Sequence, residues 1–81
     1  MKKAFYQGKE VNVGDKFKKV INSAEGIKED GMITCVGYEN KSILLKYEGC
    51  MWHENGEVEA ISVSKAQKVL FQDFMPILDR I

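Results

Sequence analysis

One proline, one tryptophan, one histidine, one arginine and two cysteines are all that these 81 residues contain of those types. Each scarcity removes a class of protein. Two cysteines, Cys35 and Cys50, are too few for the disulfide frame that small secreted domains use. Two small, reduced, partly buried thiols are expected instead, although neighbouring strands would allow a Cys35–Cys50 bridge. No apolar run approaches the ~20 residues of a membrane-spanning helix, so no membrane partner is expected. The start, MKKAFYQGKEVNVGD, has a basic opening but no apolar middle, which argues against a signal peptide and for the cytoplasm. No repeat, low-complexity tract or linker interrupts the chain, and its length suits one domain, residues 1–81. No catalytic or cofactor motif is present. Neither an enzyme, nor a cofactor, nor a small-molecule substrate is expected.

What is present is mostly period two, the mark of half-buried strands. KAFYQGKEVNV reads as two short extended pieces around Gln7-Gly8-Lys9. A strand follows the turn-prone Gly14-Asp15, with Phe17, Val20 and Ile21 as its apolar side. Residues 23–31, SAEGIKEDG, form a polar stretch broken only by Ile27, and are expected to be a mobile or functional loop. Met32–Tyr38 and Ser42–Tyr47 flank Glu39-Asn40-Lys41, a hairpin in which Asn40 tolerates positive φ. A second hairpin is expected from Met51–His53 and Val58–Ser62 around Asn55-Gly56, the preferred pair for a type I′ turn.

The period then changes. Ala66, Val69, Leu70 and Phe74 give the stripe of an amphipathic helix. Ser64 and Gln67 match a capping box, and Pro76 should stop the helix near Phe74. Ile77-Leu78 should dock on the body. The expected fold is mainly β with a C-terminal helix (α+β): a small barrel or highly curved antiparallel sheet of five or six strands plus one helix.

Gly14-Asp15-Lys16-Phe17, the polar loop and the Gly31–Glu48 hairpin together resemble the layout of SH3-like small barrels, KOW and Tudor modules among them, over about residues 10–63. The resemblance implies a compact barrel used for binding; the terminal helix departs from the plain barrel. The small size, the single domain and eleven lysines to one arginine are similar to accessory proteins of T4-like phages. That similarity implies a protein that binds and disables a host factor, in the host cytoplasm.

Charge is balanced overall and uneven along the chain. Residues 1–20 hold six lysines against Glu10 and Asp15, whereas residues 47–60 hold Glu48, Glu54, Glu57 and Glu59 with no lysine or arginine. A dipolar surface of this kind can steer partners. Trp52 lies in the acidic segment, either as a core residue or as an exposed anchor. Two binding functions follow from these features. A protein partner would be met, and masked or inhibited, through Trp52, Glu54, Glu57, Glu59 and Ile27. Alternatively, RNA would be held by Lys2, Lys3, Lys16, Lys18 and Lys19, with Phe5, Tyr6 and Phe17 available to stack. Zero net charge and a pI near 6.6 weigh against RNA. Exposed strand edges leave room for a strand-paired homodimer. Cys50-x-x-His53 pairs two metal-capable side chains, but residues three apart on a strand face opposite ways, so no metal site is expected.

Overall fold

The computed structural model describes residues 2–72 and 78–81. Among the described residues, seven strands and one helix follow in order: β1 (Phe5–Tyr6), β2 (Lys9–Glu10), β3 (Lys16–Ser23), β4 (Gly26–Glu39), β5 (Ser42–Glu48), β6 (Val58–Ser62), α1 (Val63–Val69) and β7 (Leu78–Arg80). β1 and β2 form a small hairpin of their own, and the rest form one antiparallel sheet in the order β6-β5-β4-β3-β7. The architecture is mainly β with a C-terminal helix, as a curved sheet rather than a closed barrel. No helix among the described residues is long and apolar enough to cross a membrane.

Two irregularities curve the sheet. Between Cys35↔Leu45 and Gly37↔Leu44, β4 carries Val36 as an extra residue. Between Lys18↔Met32 and Val20↔Glu29, Asp30 and Gly31 of β4 face the single Lys19 of β3. Such bulges bend a strand and increase its twist. The concave side then holds Ile33, Cys35, Ile43, Leu45 and Tyr47, all buried. Tyr6, Phe17 and Phe71 complete the core as an aromatic triangle with centroids 5.5 to 6.0 Å apart. Those separations suit edge-on and tilted ring contacts.

The β1–β2 hairpin turns at Gln7 (φ 55°) and Gly8 (φ 77°). Positive φ at both positions is the type I′ requirement. Gln67 of α1 holds this hairpin: its amide accepts from the Phe5 N–H at 2.9 Å and donates to the Phe5 carbonyl at 2.7 Å. A side chain thus takes the place of a neighbouring strand.

Several sequence expectations are corrected here. Residues 23–31 are not a loop: Ser23 pairs with Gly26 around a two-residue turn, and residues 26–31 belong to β4. Strand pairing satisfies the backbone there even though Lys28 and Glu29 are polar and exposed. The helix is capped by Ser62, whose Oγ accepts from the Lys65 N–H at 3.2 Å, and not by Ser64. Starting at Val63, the helix buries Val63, Ala66 and Leu70 and leaves Val69 exposed. The helix ends at Val69, short of the expected stop near Phe74. Phe74, Pro76 and Ile77 themselves lie outside the described residues; Leu78 is buried on the body and pairs with Lys19 through β7.

Ser62→Ala should cost ~1 kcal/mol, the usual worth of an N-cap. Ser64→Ala, which removes only an exposed contact from Lys2, should leave the midpoint of urea unfolding nearly unchanged. Glycines give a second contrast. A Cβ on Gly31 (φ +95°) would sit 2.5 Å from the Glu48 carbonyl oxygen and 2.6 Å from the Gly49 carbonyl carbon. Gly31→Ala should therefore destabilise by on the order of 3 kcal/mol, combining left-handed strain with displaced backbone. Gly56 (φ +87°) has open space around it, and Gly56→Ala should cost only about 1 kcal/mol in the same assay.

Candidate functional site: the Gly49–Glu57 loop

Between β5 and β6 the chain makes two consecutive turns rather than the expected hairpin arm. The His53 N–H donates to the Cys50 carbonyl at 3.4 Å, and the Glu57 N–H donates to the Glu54 carbonyl at 3.0 Å. Met51 and Trp52 occupy the corner of the first turn, Asn55 and Gly56 that of the second. Only Gly56 has positive φ in the second turn, so it is not type I′. Because residues 51–53 are not a strand, side-chain alternation does not apply to them. Trp52 is 81% exposed and Met51 66% exposed, side by side. The reading of Trp52 as a core residue is thereby overturned.

The loop is anchored at many points. Gly31 lets the backbone of residues 48–50 pass directly against β4. The Asp30 carboxylate accepts from the Met51 N–H at 3.1 Å and from Lys19 Nζ at 3.0 Å. Asn55 Oδ1 accepts from the Gly49 N–H at 3.1 Å, and Glu57 Oε1 accepts from the Glu54 N–H at 3.1 Å. Tyr47 closes the base: its N–H donates to the Glu57 carbonyl and its carbonyl accepts from the Gly56 N–H. Its ring stacks on His53 at 3.6 Å with 8° between planes. Cys50 is buried beneath the first turn, its Sγ within reach of the Met32 and Glu48 carbonyls at 3.9 Å. A turn fixed in this way presents Trp52 already ordered.

The titratable groups fit this picture. Asp30 is only 6% exposed. The hydrogen bond from Lys19 holds its carboxyl below the usual range, and the Met51 N–H and the lysine charge add to that, against the opposing effect of burial. Burial pushes the thiols of Cys35 and Cys50 up. Both cysteines are free and buried, as the sequence suggested, and as neutral thiols they are poor nucleophiles. Burial, reinforced by the Glu59 carboxylate, raises the Tyr47 hydroxyl; it donates to Glu59 at 3.2 Å.

The remaining expected site residues are spread out. Glu54 is exposed, while Glu57 and Glu59 are half-buried and turned toward His53. Ile27 is 75% exposed near the tip of the β3–β4 hairpin. The lysines do not form one patch. Lys19 is committed to Asp30, Lys18 pairs with Glu29, and Lys3 pairs with Glu10. Lys16 is exposed on β3. Lys2 and Lys3 join Lys68 around an open groove of about 630 Å³ floored by Phe5 and Val63. Asp30, Gly31, Tyr47 and Met51 were not legible as site residues. Only the glycine spacing, with Gly31 and Gly49 flanking residues 32–48, hinted at the close approach.

The Asp30–Lys19 pair makes stability depend on acidity. Asp30's folded value is depressed, so its contribution is present above its ordinary value near 3.8 and is lost as pH falls through the folded value. Asp30→Asn should be less stable than the wild type at neutral pH by ~2 kcal/mol, the scale of a charge-assisted bond. In urea unfolding the gap should close as pH is lowered below about 4. A gap independent of pH would show that the Asp30 charge contributes nothing.

Comparison with protein-family profiles, curated proteins and solved structures finds no match, so the reading of this loop rests on its own geometry.

Proposed function

We propose that the chain is a non-catalytic docking protein that binds a protein partner through the Met51-Trp52 turn and masks or inhibits it. The observation that carries this reading is Trp52, 81% exposed on a loop tied down at both ends. An aromatic ring held in water on a fixed turn gives up little freedom on binding, and tryptophan is the residue most often found at the centre of contact energy. Glu54, exposed two residues from Trp52, favours a partner with a basic surface and would raise its rate of encounter. The exposed hairpin tip with Ile27 offers a second contact.

The finer version, an SH3-like module carried by a phage to disable a host defence or toxin component in the host cytoplasm, draws on the strand layout and on the lysine-rich, arginine-poor composition. Strand pairing through β6, whose only partner among the described residues is β5, would give a homodimer. RNA binding is supported by one specific observation: the groove of Lys2, Lys3 and Lys68 over Phe5. There, lysines would meet phosphates and the half-exposed ring a base.

The test is capture from the native cytoplasm by tagged wild-type and Trp52→Ala chains, with nuclease, followed by binding of the purified captured protein. Trp52→Ala should weaken that binding by at least ~30-fold, about 2 kcal/mol, with unchanged unfolding. Glu54→Lys should mainly slow association. Retention that vanishes with nuclease, falls steeply with salt and ignores Trp52→Ala would favour RNA instead.

A further inference from the structure

We propose that His53, Glu57 and Glu59 form a site for a divalent transition-metal ion of the Zn²⁺ class. One ligand atom from each lies within 4.8 Å of the others, although the three come from a turn, the end of a loop and a strand. His53 Nε2 is 3.8 Å from Glu59 Oε2. That is too long for a hydrogen bond. It is close to the separation of two atoms sharing one zinc ion, roughly 3.3 Å for ligands at 2.0–2.1 Å in a tetrahedron.

The imidazole is short of partners. Its side chain is 19% exposed, its Nδ1 is buried with no hydrogen-bond partner among the described residues, and Nε2 has only the long contact to Glu59. A ring so enclosed normally has its nitrogens satisfied. An ion between Nε2 and the carboxylates would give Nε2 a partner and would leave the buried Nδ1 as it is.

Each ligand is also oriented from outside the trio. The Tyr47 ring stacks on His53, and the Tyr47 hydroxyl holds Glu59 through Oε1, leaving Oε2 toward the histidine. The Glu54 N–H holds Glu57 through Oε1. Outer contacts of this kind fix ligand geometry in metal sites. No lysine or arginine occurs in residues 47–60, and neither glutamate has a lysine or arginine ion pair among the described residues. Among the described residues, no lysine or arginine competes for the carboxylates. One imidazole with two carboxylates favours zinc over magnesium or calcium, which take oxygen ligands alone, and leaves a fourth position for water. The ion would tie the Trp52 turn to β6. The inference does not rest on the docking reading, because its probe is the metal alone.

Zinc chloride titrated into the full, reduced chain should give one saturable site by calorimetry, with a matching change in Trp52 fluorescence. Zinc should bind at least a hundredfold more tightly than magnesium or calcium. Glu59→Gln and His53→Gln should each weaken binding at least tenfold with circular dichroism unchanged, whereas Glu48→Gln should not. Cobalt(II) should give visible d–d bands without the near-ultraviolet charge-transfer band of a thiolate ligand. If His53→Gln unfolds the chain, Glu57→Gln decides in its place. No saturable binding at millimolar zinc, wild-type affinity in the glutamate variants, or a thiolate band would each overturn the proposal.

Discussion

The two-for-one bulge at Asp30-Gly31 is the constraint on which the exposed loop depends. Facing Lys19 with two residues instead of one turns Asp30 into a buried position, where a carboxylate persists only if it is paired and hydrogen-bonded. Lys19 supplies the pair and the Met51 N–H the further bond. The neighbouring glycine, with positive φ and no Cβ, lets the Glu48–Cys50 backbone cross at a distance that no other residue would permit. One local irregularity thus fixes where the chain leaves β5, and so where Met51 and Trp52 point.

The opposite end of the molecule is organised by a different device. The β1–β2 hairpin is only two residues per strand, far too short to be stable alone. It is held by the Gln67 amide, by the Tyr38 hydroxyl, which donates to the Val11 carbonyl at 2.6 Å and accepts from the Ala4 N–H at 3.1 Å, and by burial of Tyr6 among Phe17 and Phe71. Arg80 adds an ion pair to Asp15 and lies over the Phe17 ring. Side chains from distant positions replace strand partners, and a small curved sheet gains a second layer without a second large sheet.

Between these ends the chemistry divides by charge. Of the lysines expected to make a basic surface, Lys3, Lys18 and Lys19 are each paired with a nearby carboxylate, in pairs that contribute little to stability where they are exposed. In the acidic segment Glu48 pairs with Lys46 at 3.9 Å, whereas Glu54 faces water and Glu57 and Glu59 turn toward His53. The surface that the sequence suggested was dipolar is therefore asymmetric in a second sense: its basic part is largely spoken for, whereas Glu54, Glu57 and Glu59 have no lysine or arginine pair among the described residues.

The strand content, the Gln7-Gly8 and Asn40 turns and the presence of a terminal helix were legible because each depends on neighbours in sequence: alternation for strands, backbone permissiveness at turns, an apolar stripe for a helix. The helix start was missed by two residues because Ser62 and Ser64 offer the same capping chemistry, and only the packing of Val63 and Ala66 chooses between them. The 23–31 segment was misread because its composition is that of a loop, while its backbone is held by pairing to β3. Local sequence by itself determined which residues favour strand, turn or helix. Tertiary structure alone decided that Trp52 faces water, that Asp30 is buried and that His53 meets Glu57 and Glu59: the first two rest on a bulge and a close backbone approach between segments far apart in the chain, and the third on two successive turns and the stacking of His53 on Tyr47.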